Sequence, residues 1–110
     1  MISKESKKLF NQILNIAKDE IEMAEGSLYF VYVPEYWRYS YKSFNKIEIQ
    51  DKYKSKNEIL DLVKKIGIKI IDLDQEMRLT KDPLKFYALR SYGHFNEKGY
   101  EFIARKILNK

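Results

Sequence analysis

The only histidine of the chain, His94, stands in Gly93-His94-Phe95-Asn96-Glu97-Lys98-Gly99-Tyr100, directly before the last helix that the sequence predicts. Imidazole changes protonation near neutral pH, so a histidine at a loop-to-helix junction suits a general base. Elsewhere the chain offers no recognisable segment for the nucleophile that such a base would serve.

A second candidate is Tyr36-Trp37-Arg38-Tyr39-Ser40-Tyr41-Lys42-Ser43-Phe44, where aromatic and basic side chains interleave. Tyr36, Trp37, Arg38 and Tyr39 are its candidate substrate-binding residues. Such a segment can lay its rings on the core with cationic heads in water. It can also stack on sugar rings, or on bases while tracking phosphates. Core packing ranks first here, sugar second and nucleic acid last. No metal site is expected, because there is 1 His, no Cys and no calcium-loop spacing. No Gly-rich phosphate loop is present either, and no cofactor is implied.

These residues need elements to position them. Leu9, Phe10, Ile13, Leu14, Ala17, Ile21 and Ala24 recur at three- and four-residue steps, which predicts a helix over 3–25. Ser3 is placed to cap that helix, with Ser6 as the alternative cap, and Gly26 to stop it. Leu28-Tyr29-Phe30-Val31-Tyr32-Val33 is a continuous β-branched and aromatic run, as in a strand buried on both faces. Residues 35–54 read as irregular. Ser55 with Glu58 has capping-box spacing and opens a helix over about 55–66 that Gly67 ends. Ile68-Lys69-Ile70-Ile71-Asp72-Leu73 is a second short strand, and 74–93 a loop with at most a helical turn. Asn96 caps the last helix. A strand–helix–strand order implies parallel strands. The expected fold is therefore α/β, three-layered in style, with two parallel strands and three main helices. Ligands gather beyond the carboxyl ends of such strands, where the aromatic loop, Asp72, Asp74 and, if its loop returns to that edge, His94 fall.

A chain of 110 residues suggests one domain. The net charge of +5 comes mostly from Lys interleaved with acids, which describes a solvated surface better than a nucleic-acid footprint. No apolar run reaches the roughly 20 residues of a membrane span. Met1-Ile2-Ser3-Lys4-Glu5 does not read as a signal peptide, so the default compartment is the cytoplasm.

In this order and with these motifs, residues 28–108 resemble the C-terminal part of SGNH hydrolases, also called GDSL-type esterases. Ile70-Ile71-Asp72-Leu73 is similar to their last strand, and the stretch from Gly93 to Ala104 to their histidine block and terminal helix. The resemblance implies a flavodoxin-like fold and a serine esterase or acyltransferase mechanism with His94 as base. It also implies an acylated carbohydrate or a small ester as substrate. The family's Gly-Asp-Ser and Gly-x-Asn-Asp segments are absent, and Ser91 occupies the place of its Asp. A serine accepts a hydrogen bond from imidazole but cannot stabilise imidazolium as a carboxylate does. Asp72 and Asp74 are alternative orienting groups. The expectation is a histidine-bearing part of such an enzyme, inert alone. The rivals are a non-enzymatic module that forms a homodimer through its open sheet edge, and a basic, aromatic nucleic-acid binder.

Overall fold

The structure, a computed structural model, describes residues 2–40, 46–90 and 93–110, without the side chains of Trp37, of 46–49 and of 52. In order come α1 (Lys4–Met23), β1 (Tyr29–Tyr32), a 3-10 turn (Tyr36–Tyr39) and α2 (Lys46–Ile66). β2 (Lys69–Asp72), α3 (Leu73–Arg78), 3-10 turns at Pro83–Phe86 and Ala88–Arg90, and α4 (Glu97–Leu108) follow. β1 and β2 form a two-stranded parallel sheet. The α/β class and the strand–helix–strand unit are therefore as the sequence predicts.

Two departures from that reading have local causes. The second helix begins at Lys46, not at Ser55. Residues 46–54 contain neither Gly nor Pro and hold several Lys, Glu and Gln, so nothing stops the helix upstream of Ser55. The described residues also form four α-helices rather than three, because α3 follows β2 without a loop. Asp72 caps α3, its carboxylate accepting the Gln75 N–H at 3.2 Å. That is the Asx-x-x-Gln form of the spacing read at Ser55, and it operates here because Asp72 is extended (φ −93°, ψ 93°) where the strand ends.

Other helix ends follow local chemistry. Ser3 accepts the Ser6 N–H at 3.1 Å and caps α1. The left-handed residue after α1 is Glu25 (φ 61°), not Gly26. Gly67 closes α2 at φ 89°, a conformation that favours glycine.

The chain divides into two compact units, Met1–Phe30 with Ile47–Ile70, and Val31–Lys46 with Ile71–Lys110. In the first, Phe10 meets Phe30 edge-on at 6.0 Å, and Val63 on α2 is fully buried. Lys18 donates to the Ile66 carbonyl at 2.9 Å, an orphan acceptor at the end of α2. The outer stripe of α1 leaves Leu9, Ile13, Ile16 and Met23 exposed.

The second unit is built on Tyr87, which is fully buried with Met77 and Phe86. Its ring stacks on Phe95 at 4.8 Å, and its hydroxyl donates to the Pro34 carbonyl at 2.9 Å. A buried phenol needs such an acceptor, because an unsatisfied hydroxyl there costs about 1–3 kcal/mol.

Candidate active-site loop around His94

Asn96 organises the segment that carries His94. Its side-chain oxygen accepts the Gly99 N–H at 2.9 Å and caps α4. Its amide nitrogen donates to the Lys85 carbonyl at 2.7 Å and the Tyr87 carbonyl at 3.2 Å. The backbone adds two bonds, Asn96 N–H to the Phe86 carbonyl and Ala88 N–H to the His94 carbonyl, each at 2.9 Å. Phe95 and Tyr87 complete the seam as an antiparallel bridge. The loop is thus tied to residues 85–88 from the His94 carbonyl through Asn96.

Gly99 is the second fixed point. A Cβ there would run into the Phe86 carbonyl oxygen and come within 3.0 Å of the Phe95 side chain. The position is buried in the first turn of α4. So the Asn and Gly of the histidine motif do packing and capping work: one pins the loop, the other lets α4 close onto it.

His94 itself is exposed. Among the described residues its imidazole makes no hydrogen bond or ion pair. Ser91 lies outside the described residues, as do Tyr41 and Phe44 of the aromatic segment. The two residues before Ser91 are Leu89 (φ 51°) and Arg90 (φ 59°), both left-handed. Two consecutive non-glycine residues there cost on the order of 1 kcal/mol each, and such backbone concentrates at functional loops. A forked pair holds the conformation, the Arg90 guanidinium donating to both oxygens of Asp82 at 2.5 and 3.1 Å. Those bonds keep the Asp82 carboxyl below the usual carboxylate range and push the Arg90 guanidinium up.

The carboxyl ends of β1 and β2 carry a polar knot of another kind. Asp74, in the first turn of α3, is fully buried. It accepts the Tyr39 hydroxyl at 2.6 Å and pairs with Arg78 at 3.4 Å. Arg38 lies over the Tyr32 ring at 5.4 Å and donates to its hydroxyl. Burial pushes the Tyr32 phenol up; Arg38 opposes this, and Asp74, Glu35 and Asp72 reinforce it. Tyr36 and Tyr39 tilt against Tyr87 at 6.3 and 6.0 Å. Three of the four residues considered for sugar contact, Tyr36, Arg38 and Tyr39, are thus half-buried in the packing of the second unit. The side chain of Trp37 lies outside the described residues.

Of the carboxylates considered as orienting groups, Asp72 serves α3 and Asp74 serves Tyr39 and Arg78. The clamping role of the Asn96 amide and the burial of Asp74 were not visible in the sequence. The first had one signal, an Asn immediately before a predicted helix; the second had none. Among the described residues no three His, Asp or Glu side chains gather as a metal ion requires. None of their helices is long and apolar enough to cross a membrane. No family model, no curated protein and no solved structure matches the chain.

Proposed function

We propose that this chain is the histidine-bearing part of a serine ester hydrolase or acyltransferase of SGNH-like type. His94 acts as general base toward a hydroxyl nucleophile supplied by another polypeptide segment, and the chain alone does not turn over esters. One observation carries this reading. The backbone at His94 and just after it is hydrogen-bonded to Ala88 and Phe86, through the His94 carbonyl and the Asn96 N–H, while the imidazole is exposed and makes no bond among the described residues. A fixed backbone bearing an uncommitted base suits proton transfer, since catalytic groups work best when their position is already set.

Ser91 stands in the position that the resemblance gives to the orienting acid. A serine hydroxyl in that role can orient an imidazole but cannot stabilise the imidazolium charge, which weakens the base. The favoured substrates are an acylated carbohydrate or a small ester, and no cofactor takes part.

The test has two arms. With p-nitrophenyl acetate, this chain gives no saturable turnover above that of His94→Ala. The longest polypeptide that contains the chain is then treated with a fluorophosphonate. It labels one serine outside these residues, and His94→Ala abolishes both labelling and hydrolysis. A longest polypeptide without a reactive serine sinks the proposal.

A second reading, a non-enzymatic module that pairs with its own copy, has one observation in its favour. Leu9, Ile13 and Ile16 are 58%, 54% and 63% exposed along one stripe of α1, and a run of exposed apolar side chains is a candidate contact surface. Light scattering at high concentration tests it: a strict monomer excludes it.

A further inference from the structure

In the second unit, Pro83–Phe86 and α4 enclose a shallow groove of about 280 Å³ lined by Lys85, Phe86, Lys98, Glu101, Phe102 and Arg105. Phe86 and Phe102 form its floor, their ring centroids 4.5 Å apart. Three of the six lining side chains are cations and one is an acid. Arg105 is engaged with Glu101 at 2.6 Å. Among the described residues Lys85 and Lys98 make no ion pair, though Lys85 also acts at longer range on Asp82. The Lys85 ammonium lies 5.1 Å from the Phe86 ring, and the Lys106 ammonium, paired with Glu76 at 3.1 Å, lies 5.4 Å from that of Phe102.

We infer that this groove binds a nucleoside phosphate, either free or as a unit of a single strand, with the phosphate on Lys85 and Lys98 and the base against Phe102. Phe102 is the half-buried ring of the floor, whereas Phe86 is only 6% exposed. An aromatic ring with Lys85 and Lys98 beside it, neither of them in an ion pair among the described residues, is an arrangement that recognises a base and its phosphate together. The guanidinium of Arg105 adds a planar donor for a second phosphate oxygen. The site lies outside the aromatic segment of residues 36–44, which the sequence singled out for such contact. It does not depend on whether His94 acts in ester hydrolysis.

The probes are AMP and fluorescein-labelled oligo-dT, followed by calorimetry and anisotropy at low salt. Lys85→Ala with Lys98→Ala, two exposed positions, should weaken both ligands about tenfold and reduce the salt slope for the strand by about 1 per lysine. Lys64→Ala with Lys65→Ala, in the first unit, should change neither by more than about twofold. AMP saturating one site while the strand binds no more tightly per nucleotide identifies a free nucleotide. Strand binding that exceeds AMP and falls steeply with salt identifies a single strand. Both support the groove. Three outcomes overturn it: equal loss in the two double variants, no binding of either probe, or a polyuronate binding more tightly than both.

Discussion

Two polar assemblies in the second unit differ in every respect that separates architecture from availability. The knot of Tyr32, Arg38, Tyr39, Asp74 and Arg78 sits at the strand ends, and its central carboxylate is fully buried and satisfied. The His94 loop is fixed by Asn96 and its backbone, yet its one titratable side chain faces water with no partner among the described residues. A buried polar group is bonded because leaving it unbonded is costly. An exposed one has no such requirement, so holding the loop around it rigid serves something other than its own satisfaction. The difference teaches that residue type alone does not mark the site: the aromatic and basic segment is partly turned inward, and the lone imidazole is turned out.

Substitutions can break this contrast at either pole. Asp74→Ala removes a fully buried carboxylate and the acceptor of the half-buried Tyr39 hydroxyl, and should cost about 3 kcal/mol in urea unfolding; a loss below about 1 kcal/mol would mean that the knot is solvated. Gly99→Ala should cost about 2–3 kcal/mol, because the Phe86 carbonyl in its way is backbone and cannot swing aside. A neutral Gly99→Ala would show that α4 does not close on the loop. Asn96→Ala should cost about 2 kcal/mol, combining a lost cap with the loss of its bonds to the Lys85 and Tyr87 carbonyls, the second of which keeps the Arg90 N–H.

A smaller effect is expected in alkali. The folded pKa of Tyr32 is raised, chiefly by burial, so the fold favours the neutral phenol. Its contribution is complete below the ordinary tyrosine pKa of about 10 and is lost as pH rises through the folded value. Stability should therefore decline above pH ~10, and Tyr32→Phe should flatten that decline. An unchanged alkaline profile in Tyr32→Phe would place the phenol in water.

The strongly periodic and continuous apolar stretches were legible in the sequence. Ser3 and Asn96 as caps, Gly67 as a stop and the two parallel strands follow from patterns with direct physical causes. The start of α2 was not legible, because a capping-box spacing at Ser55–Glu58 also occurs inside a helix, and only the backbone decides which applies. The same spacing at Asp72–Gln75 does cap a helix, and there the strand end supplies the extended residue that a cap needs. At the site, His94 was legible as a junction residue, since one histidine before an Asn-capped helix is a local pattern. The burial of Asp74 and the inward turn of Tyr39 were not, because the two meet across 35 residues of chain. The groove floor likewise joins Phe86 to Phe102 through tertiary packing, which no local spacing encodes.

The most direct test sets His94→Ala beside Asn96→Ala in urea unfolding. An imidazole that is held out rather than held in predicts that His94→Ala changes stability by less than about 0.5 kcal/mol, against about 2 kcal/mol for Asn96→Ala. Equal losses in the two variants would contradict the account, because the histidine would then be part of the clamp and not the group it presents.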